Sequence, residues 1–127
     1  MKKLIVFGVA FLTLCAMQCD DVMTRSGAVY IVNTTTLAKD VRGYRGTTPV
    51  KIYIKNNKIQ KVEALQNRET PDYFEEVEAV MLPKWQGMTV KKALQTDVDG
   101  VTGATFSSKA VRENVRRGLE YYSKNKK

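Results

Sequence analysis

The chain has 127 residues and no histidine, and its two cysteines, Cys15 and Cys19, stand close together near the N-terminus. The body of the chain therefore lacks the commonest zinc ligands, the imidazole of a Ser-His-Asp site and any thiol nucleophile. It also lacks an intramolecular disulfide to staple a folded core. No apolar run is long enough to span a bilayer as a helix, since the longest, Leu4 to Ala16, holds 13 residues. Paired carboxylates are the remaining route to acid–base chemistry, and Glu69, Glu75, Glu76 and Glu78 lie close in sequence. Glu75 and Glu78 share one helical face and read as a solvated surface. Nothing in the chain supplies its own general acid or base, and no metal ligand set is expected.

What is present begins with an export pattern. Lys2 and Lys3 precede the apolar run, so residues 1–18 read as a signal peptide, of lipoprotein type if the thiol of Cys19 is the lipid attachment point ahead of Asp20 and Asp21. Cys15 is the other position open to that processing, and cleavage with free release is the alternative. Loss of this segment removes Lys2 and Lys3 and lowers the formal charge from +8 to +6. The 109 residues left bury one modest core. Basic residues are spread along the chain and not interleaved with aromatics in one patch. The charge thus reads as solubility and weak steering, with no nucleic acid partner.

Residues 19–37 read as a tether and first strand, polar over 20–28 and apolar over Ala28 to Val32. Asp40 to Thr48 is a turn-rich loop. Pro49 to Lys55 alternates, with Val50, Ile52 and Ile54 on one face. Asn56-Asn57 predicts a tight turn, and Lys58 to Leu65 a returning strand whose blurred alternation implies a bulge or cover on both sides. Phe74, Val77, Val80 and Met81 recur at helical spacing over Tyr73 to Leu82, and Pro83 is expected to end that helix. Thr89 is placed to cap a short helix reaching Leu94. A final amphipathic helix spans about 107–122 with Val111, Val115, Leu119 and Tyr122 as its stripe. Gly118 within it costs roughly 1 kcal/mol relative to Ala, which close packing on a sheet would explain. The predicted class is α+β: a small antiparallel sheet packed against helices.

Between the last two helices lies Asp99-Gly100-Val101-Thr102-Gly103-Ala104-Thr105-Phe106-Ser107-Ser108, with two glycines and four hydroxyl side chains at a helix N-terminus. Such a loop suits an anion, although a polar turn that merely caps a helix has the same composition. A chain poor in reactive side chains does redox chemistry through a cofactor. Hydroxyls and N–H groups over Thr102 to Ser108 suit a phosphate, and Tyr44, Tyr73, Phe74 and Trp85 offer planar surfaces for a ring or pack in the core.

The segment Asp99 to Thr105 resembles the flavinylation motif of the FMN-binding domain family. That family includes the covalent-FMN subunits of sodium-pumping NADH:quinone oxidoreductase and of the related ferredoxin-oxidising electron transport complex. Asp99, Thr102, Gly103, Ala104 and Thr105 match the motif, as do Ser107 and Ser108 beyond it. Gly43-Tyr44-Arg45-Gly46, the 49–65 hairpin, Glu69-Thr70-Pro71 and Trp85-Gln86-Gly87 resemble further family features in the same order. The resemblance implies an FMN-binding domain over 38–123, followed by a basic tail at 124–127. It implies FMN attached by a phosphoester to Thr105 through a separate flavin transferase. It further implies that Asp99 takes part in transferase recognition, while Glu69 and Thr70 either contact the flavin edge or hold the adjoining loop.

With its short leader, the chain resembles the stand-alone, exported or lipid-anchored members. The implied role is electron transfer between a donor and an acceptor at a membrane, in the periplasm or at the cell exterior. Two other readings stay open: a redox enzyme or sensor that binds FMN non-covalently, and a flavin-free envelope module for binding or assembly.

Overall fold

The structure is a computed structural model describing residues 22–126, so the expected signal segment, Cys15 and Cys19 lie outside the described residues. It is α+β. Four antiparallel strands in the order β1-β2-β3-β4 form one sheet: β1 (Met23–Ser26), β2 (Val29–Asn33), β3 (Val50–Lys55) and β4 (Lys58–Ala64). The β3–β4 hairpin turns through Asn56 and Asn57, at φ 53° and 61°. Two successive left-handed residues match the right-handed twist of the flanking strands. The blurred pattern of β4 is a bulge. Ile54 faces Ile59 and Tyr53 faces Lys61, so Gln60 is extra, and Ile59 and Val62 both reach the buried face.

Part of the expected tether is a strand. Met23–Ser26 pairs with Val29–Val32 at the sheet edge. The opposite edge is covered at its start, where Ile59 N–H donates to the Met88 carbonyl (2.8 Å) and Gly87 N–H to the Ile59 carbonyl (2.8 Å).

The helix after β4 starts earlier and runs further than its apolar spacing predicts. Helix α1 (Pro71–Glu76) opens into a π turn (Val77–Met81) and tightens into a 3₁₀ turn (Leu82–Trp85). Pro83 does not end the helical path, because it sits in the first turn of the 3₁₀ segment, where its missing N–H is not needed. The wide turn shifts the phase of the buried face. Phe74, Val77, Met81, Leu82 and Trp85 are buried, and Val80, expected inside, is exposed. Helix α2 (Val90–Gln95) is capped by Thr89, whose hydroxyl accepts the Lys92 N–H at 3.1 Å. No helix among the described residues is long and apolar enough to cross a membrane.

Helix α3 (Thr105–Asn125) packs against β2 and β3. Val111, Val115, Leu119 and Tyr122 are all buried. A Cβ on Gly118 would stand 2.6 Å from Ile52 Cδ1 and 3.0 Å from Thr34 Cγ2, which accounts for a glycine inside a helix. A buried polar seam locks this crossing: the Thr34 hydroxyl donates to Asn114 Oδ1 (2.5 Å) and accepts the Val50 N–H (2.9 Å), and Asn114 Nδ2 donates to the Ala110 carbonyl (2.9 Å). Every partner is satisfied, which is the condition for such a seam to stabilise.

Gly118→Ala sets a helix-propensity gain of about 1 kcal/mol against overpacking of about 1–3 kcal/mol. Because Ile52 is fully buried, overpacking is expected to win. Urea unfolding is expected to show a net loss, and a more stable variant would contradict the tight seam.

Candidate functional site

The site is assembled around a carboxylate. Glu69 lies in the loop between β4 and α1, 5% exposed. Its Oε2 accepts the N–H groups of Arg45 (2.7 Å) and Gly46 (3.0 Å), and its Oε1 accepts that of Tyr44 (2.8 Å). Oε1 also accepts the hydroxyl of Ser107 on α3. The 43–46 turn closes on itself through Gly43 N–H to the Gly46 carbonyl (2.7 Å). A Cβ on Gly43 would come within 2.5 Å of Glu69 Oε1, so only glycine lets the turn lie over the carboxylate. Burial pushes the Glu69 carboxyl up, but the Ser107 hydroxyl and the three N–H donors outweigh it and hold it below its ordinary value.

With the turn fixed, Tyr44 is aimed at α3. Tyr44, Thr70, Tyr73 and the segment Gly103 to Ser107 line a cleft of about 330 Å³. Tyr44, Tyr73 and Phe106 are 69%, 55% and 62% exposed. The Tyr44 and Phe106 rings lie 6.2 Å apart at 26°, an offset stack. Aromatics left in water around an open cleft are what a flat ring ligand uses, and the volume is at the small end for ligand sites.

Thr105 is the first residue of α3 and is exposed. Among the described residues its hydroxyl has no hydrogen-bond partner, and neither does that of Thr102. Ser107 and Ser108 differ: both are buried, Ser107 tied to Glu69 and Ser108 accepting the Val101 N–H at 2.9 Å. The helix N-terminus carries no side-chain cap, and its N-cap is Ala104. Gly103, at φ +91°, makes the turn into it. On the other side of Thr105, Gly100 to Thr102, Ser108, Lys109 and Arg112 line a depression of about 250 Å³. Arg112 is oriented there by donating Nε–H to the Val98 carbonyl at 3.0 Å.

The structure thus brings Tyr44, Thr70, Gly103, Ala104, Thr105 and Ser107 to one cleft, with Thr102 and Ser108 beside Thr105 in the adjoining depression. Glu69 stands behind the cleft as the clamp on its turn. Asp99 is exposed, and in the loop it begins the Val101 N–H donates to the Ser108 hydroxyl. Of the other aromatics read as ring surfaces, Phe74 and Trp85 are core. Sequence reasoning passed over Phe106, Lys109 and Arg112 as site residues. Phe106 carries a legible signal, since it is a large aromatic lying off the stripe that begins at Val111.

A family model for the FMN-binding domain matches residues 43–120. No curated protein and no solved structure matches the chain. The residues present fit an FMN group: aromatics for the ring, and a free hydroxyl, an open helix N-terminus and two cationic side chains for the phosphate.

Glu69→Gln keeps the shape and removes the charge that three N–H groups and a hydroxyl address. The expected loss at neutral pH is about 2 kcal/mol, as for hydrogen bonds to a charged group. Because the folded carboxyl titrates below its ordinary value of 4.5, this stabilisation is present above that pH and is lost as pH falls through the folded value. Urea midpoints of parent and variant are therefore expected to converge below pH 4.5, and a gap independent of pH would contradict the charged clamp.

Proposed function

Since the chain belongs to the FMN-binding domain family, we propose that it is an electron-transfer flavoprotein carrying FMN covalently through a phosphoester on Thr105. The observation that carries this reading is the state of the Thr105 hydroxyl, exposed and, among the described residues, without a partner beside an aromatic cleft, while neighbouring Ser107 and Ser108 are buried and engaged. A structural threonine capping the helix would be tied in. The same observation disfavours the flavin-free envelope module, for which a buried and bonded Thr105 is the expected arrangement.

When bound, FMN supplies reversible electron uptake that no side chain of this protein provides. The chain's own residues bind and orient. Tyr44, Tyr73 and Phe106 offer faces for stacking, and Thr70 a hydroxyl at the cleft edge. The uncapped N–H groups at the start of α3 favour a phosphate by roughly 0.3–1 kcal/mol through the helix dipole. Lys109 and Arg112 supply positive charge on the far side of Thr105. Attachment is made by a flavin transferase, with Asp99, exposed at the start of the loop, available to that enzyme. A covalent link suits a protein outside the cytoplasm, where free FMN is lost by dilution. The pattern over Met1 to Cys19 supports export, with lipid anchoring at Cys19 or release into the periplasm, and with donor and acceptor at the membrane or beyond it.

The test is intact mass after expression with a flavin transferase in an exporting host. An FMN-sized addition is expected in the parent and absent in Thr105→Val. Unmodified mass in both, with flavin released on denaturation, would replace this reading with a non-covalent FMN enzyme or sensor.

A further inference from the structure

The turn that delivers Tyr44 to the cleft carries arginines on its other side. Arg42, Arg45 and Arg68, with Gly46, Thr47, Gln66 and Asn67, line an open groove of about 450 Å³. All three arginines are exposed. Arg42 is oriented by donating Nη2–H to the Arg45 carbonyl at 3.2 Å. Two arginines of α3 are paired by contrast: Arg116 with Glu113 and Glu120, and Arg117 with Asp40 and Glu113. Among the described residues, Arg45 and Arg68 make no ion pair. Glu69, the carboxylate next to Arg68, turns inward to Ser107 and the turn N–H groups and does not line the groove.

We propose that this groove docks a carboxylate-rich protein surface, the partner's Asp and Glu side chains pairing with Arg42, Arg45 and Arg68. Guanidinium forks match carboxylates in bidentate geometry, and their weak hydration suits them to an interface. The amides of Gln66 and Asn67 and the hydroxyl of Thr47 add a polar rim, as interfaces have. The groove holds no aromatic side chain, which separates it from single-stranded nucleic acid platforms, where bases stack. It is open on two loops, which suits a protein surface better than an enclosed small anion. Docking there seats the partner beside Tyr44, at the edge of the aromatic cleft. That the partner exchanges electrons with this protein rests on the proposed flavin function, whereas carboxylate selection by the groove does not.

The experiment uses the mature protein at low salt, ¹⁵N-labelled, titrated with hexaglutamate while backbone and arginine Nε–H resonances are followed. Shifts are expected to centre on Arg45, Arg68 and the 43–47 turn. Arg45→Gln with Arg68→Gln leaves the backbone clamp and Arg42 in place and is expected to weaken binding by about tenfold or more. Lys51→Gln with Lys55→Gln removes the same charge from the sheet and is expected to change affinity by no more than about twofold. Equal weakening by both pairs would overturn the proposal in favour of net charge alone. Citrate binding as tightly as hexaglutamate would make the groove a small-anion pocket, and duplex DNA binding more tightly at the same arginines would make it a phosphate-backbone site; either also overturns it. Visible absorbance of the same sample reads the flavin separately. A colourless protein that still takes hexaglutamate at Arg45 and Arg68 loses the flavin reading and keeps the groove.

Discussion

One buried carboxylate holds together segments that are far apart in the chain. Glu69 reaches back to the N–H groups of Tyr44, Arg45 and Gly46 and forward to the hydroxyl of Ser107, so the 43–46 turn, the β4–α1 loop and the start of α3 meet at one side chain. A charge this deep in protein is tolerated only when its lone pairs are filled by donors. Here the donors belong to the elements that wall the cleft. The group that costs most to bury is thus the group that fixes the site.

Helix α3 divides its work along its length. From Val111 to Tyr122 it is a packing element, seated on β2 and β3 through Gly118 and the Thr34–Asn114 seam. From Thr105 to Arg112 it borders two depressions, with an N-terminus that carries no side-chain cap and, among the described residues, an unpartnered Thr105 hydroxyl between them. The rigid half lets the other half remain unsatisfied toward a ligand. A site built on a helix anchored this way is held more precisely than one on loops alone.

Much of this was legible because the elements obey simple periods. Val50, Ile52 and Ile54 alternate and form β3; Asn56-Asn57 turns the hairpin; Thr89 caps α2; and Val111, Val115, Leu119 and Tyr122 mark the buried face of α3. The motif at Thr102 to Thr105 placed the cleft. What escaped depends on partners remote in sequence. Met23–Ser26 is an exposed edge strand held by ladder bonds to β2, so no side-chain alternation records it. Val80 points outward because a π turn resets the phase of α1, and apolar spacing does not encode that turn. Glu69 reads from the resemblance as a residue that contacts the flavin edge or holds the adjoining loop, but the partners of its carboxylate, in the 43–46 turn and at Ser107, are remote in sequence. Phe106 is legible as a large aromatic off the packing stripe, but its place in the cleft depends on Tyr44, which the remote 43–46 turn brings beside it.

Glu69 clamps the 43–46 turn, and the turn's own amides report on it. Hydrogen exchange at Tyr44, Arg45 and Gly46, followed residue by residue at neutral pH, tests it most directly. The three amides share one acceptor group, so the account requires slow exchange at all three, with loss of protection in common. Exchange as fast as that of the exposed loop residues Thr102 and Gly103 would mean that the carboxylate does not hold the turn, and the cleft would have to be explained another way.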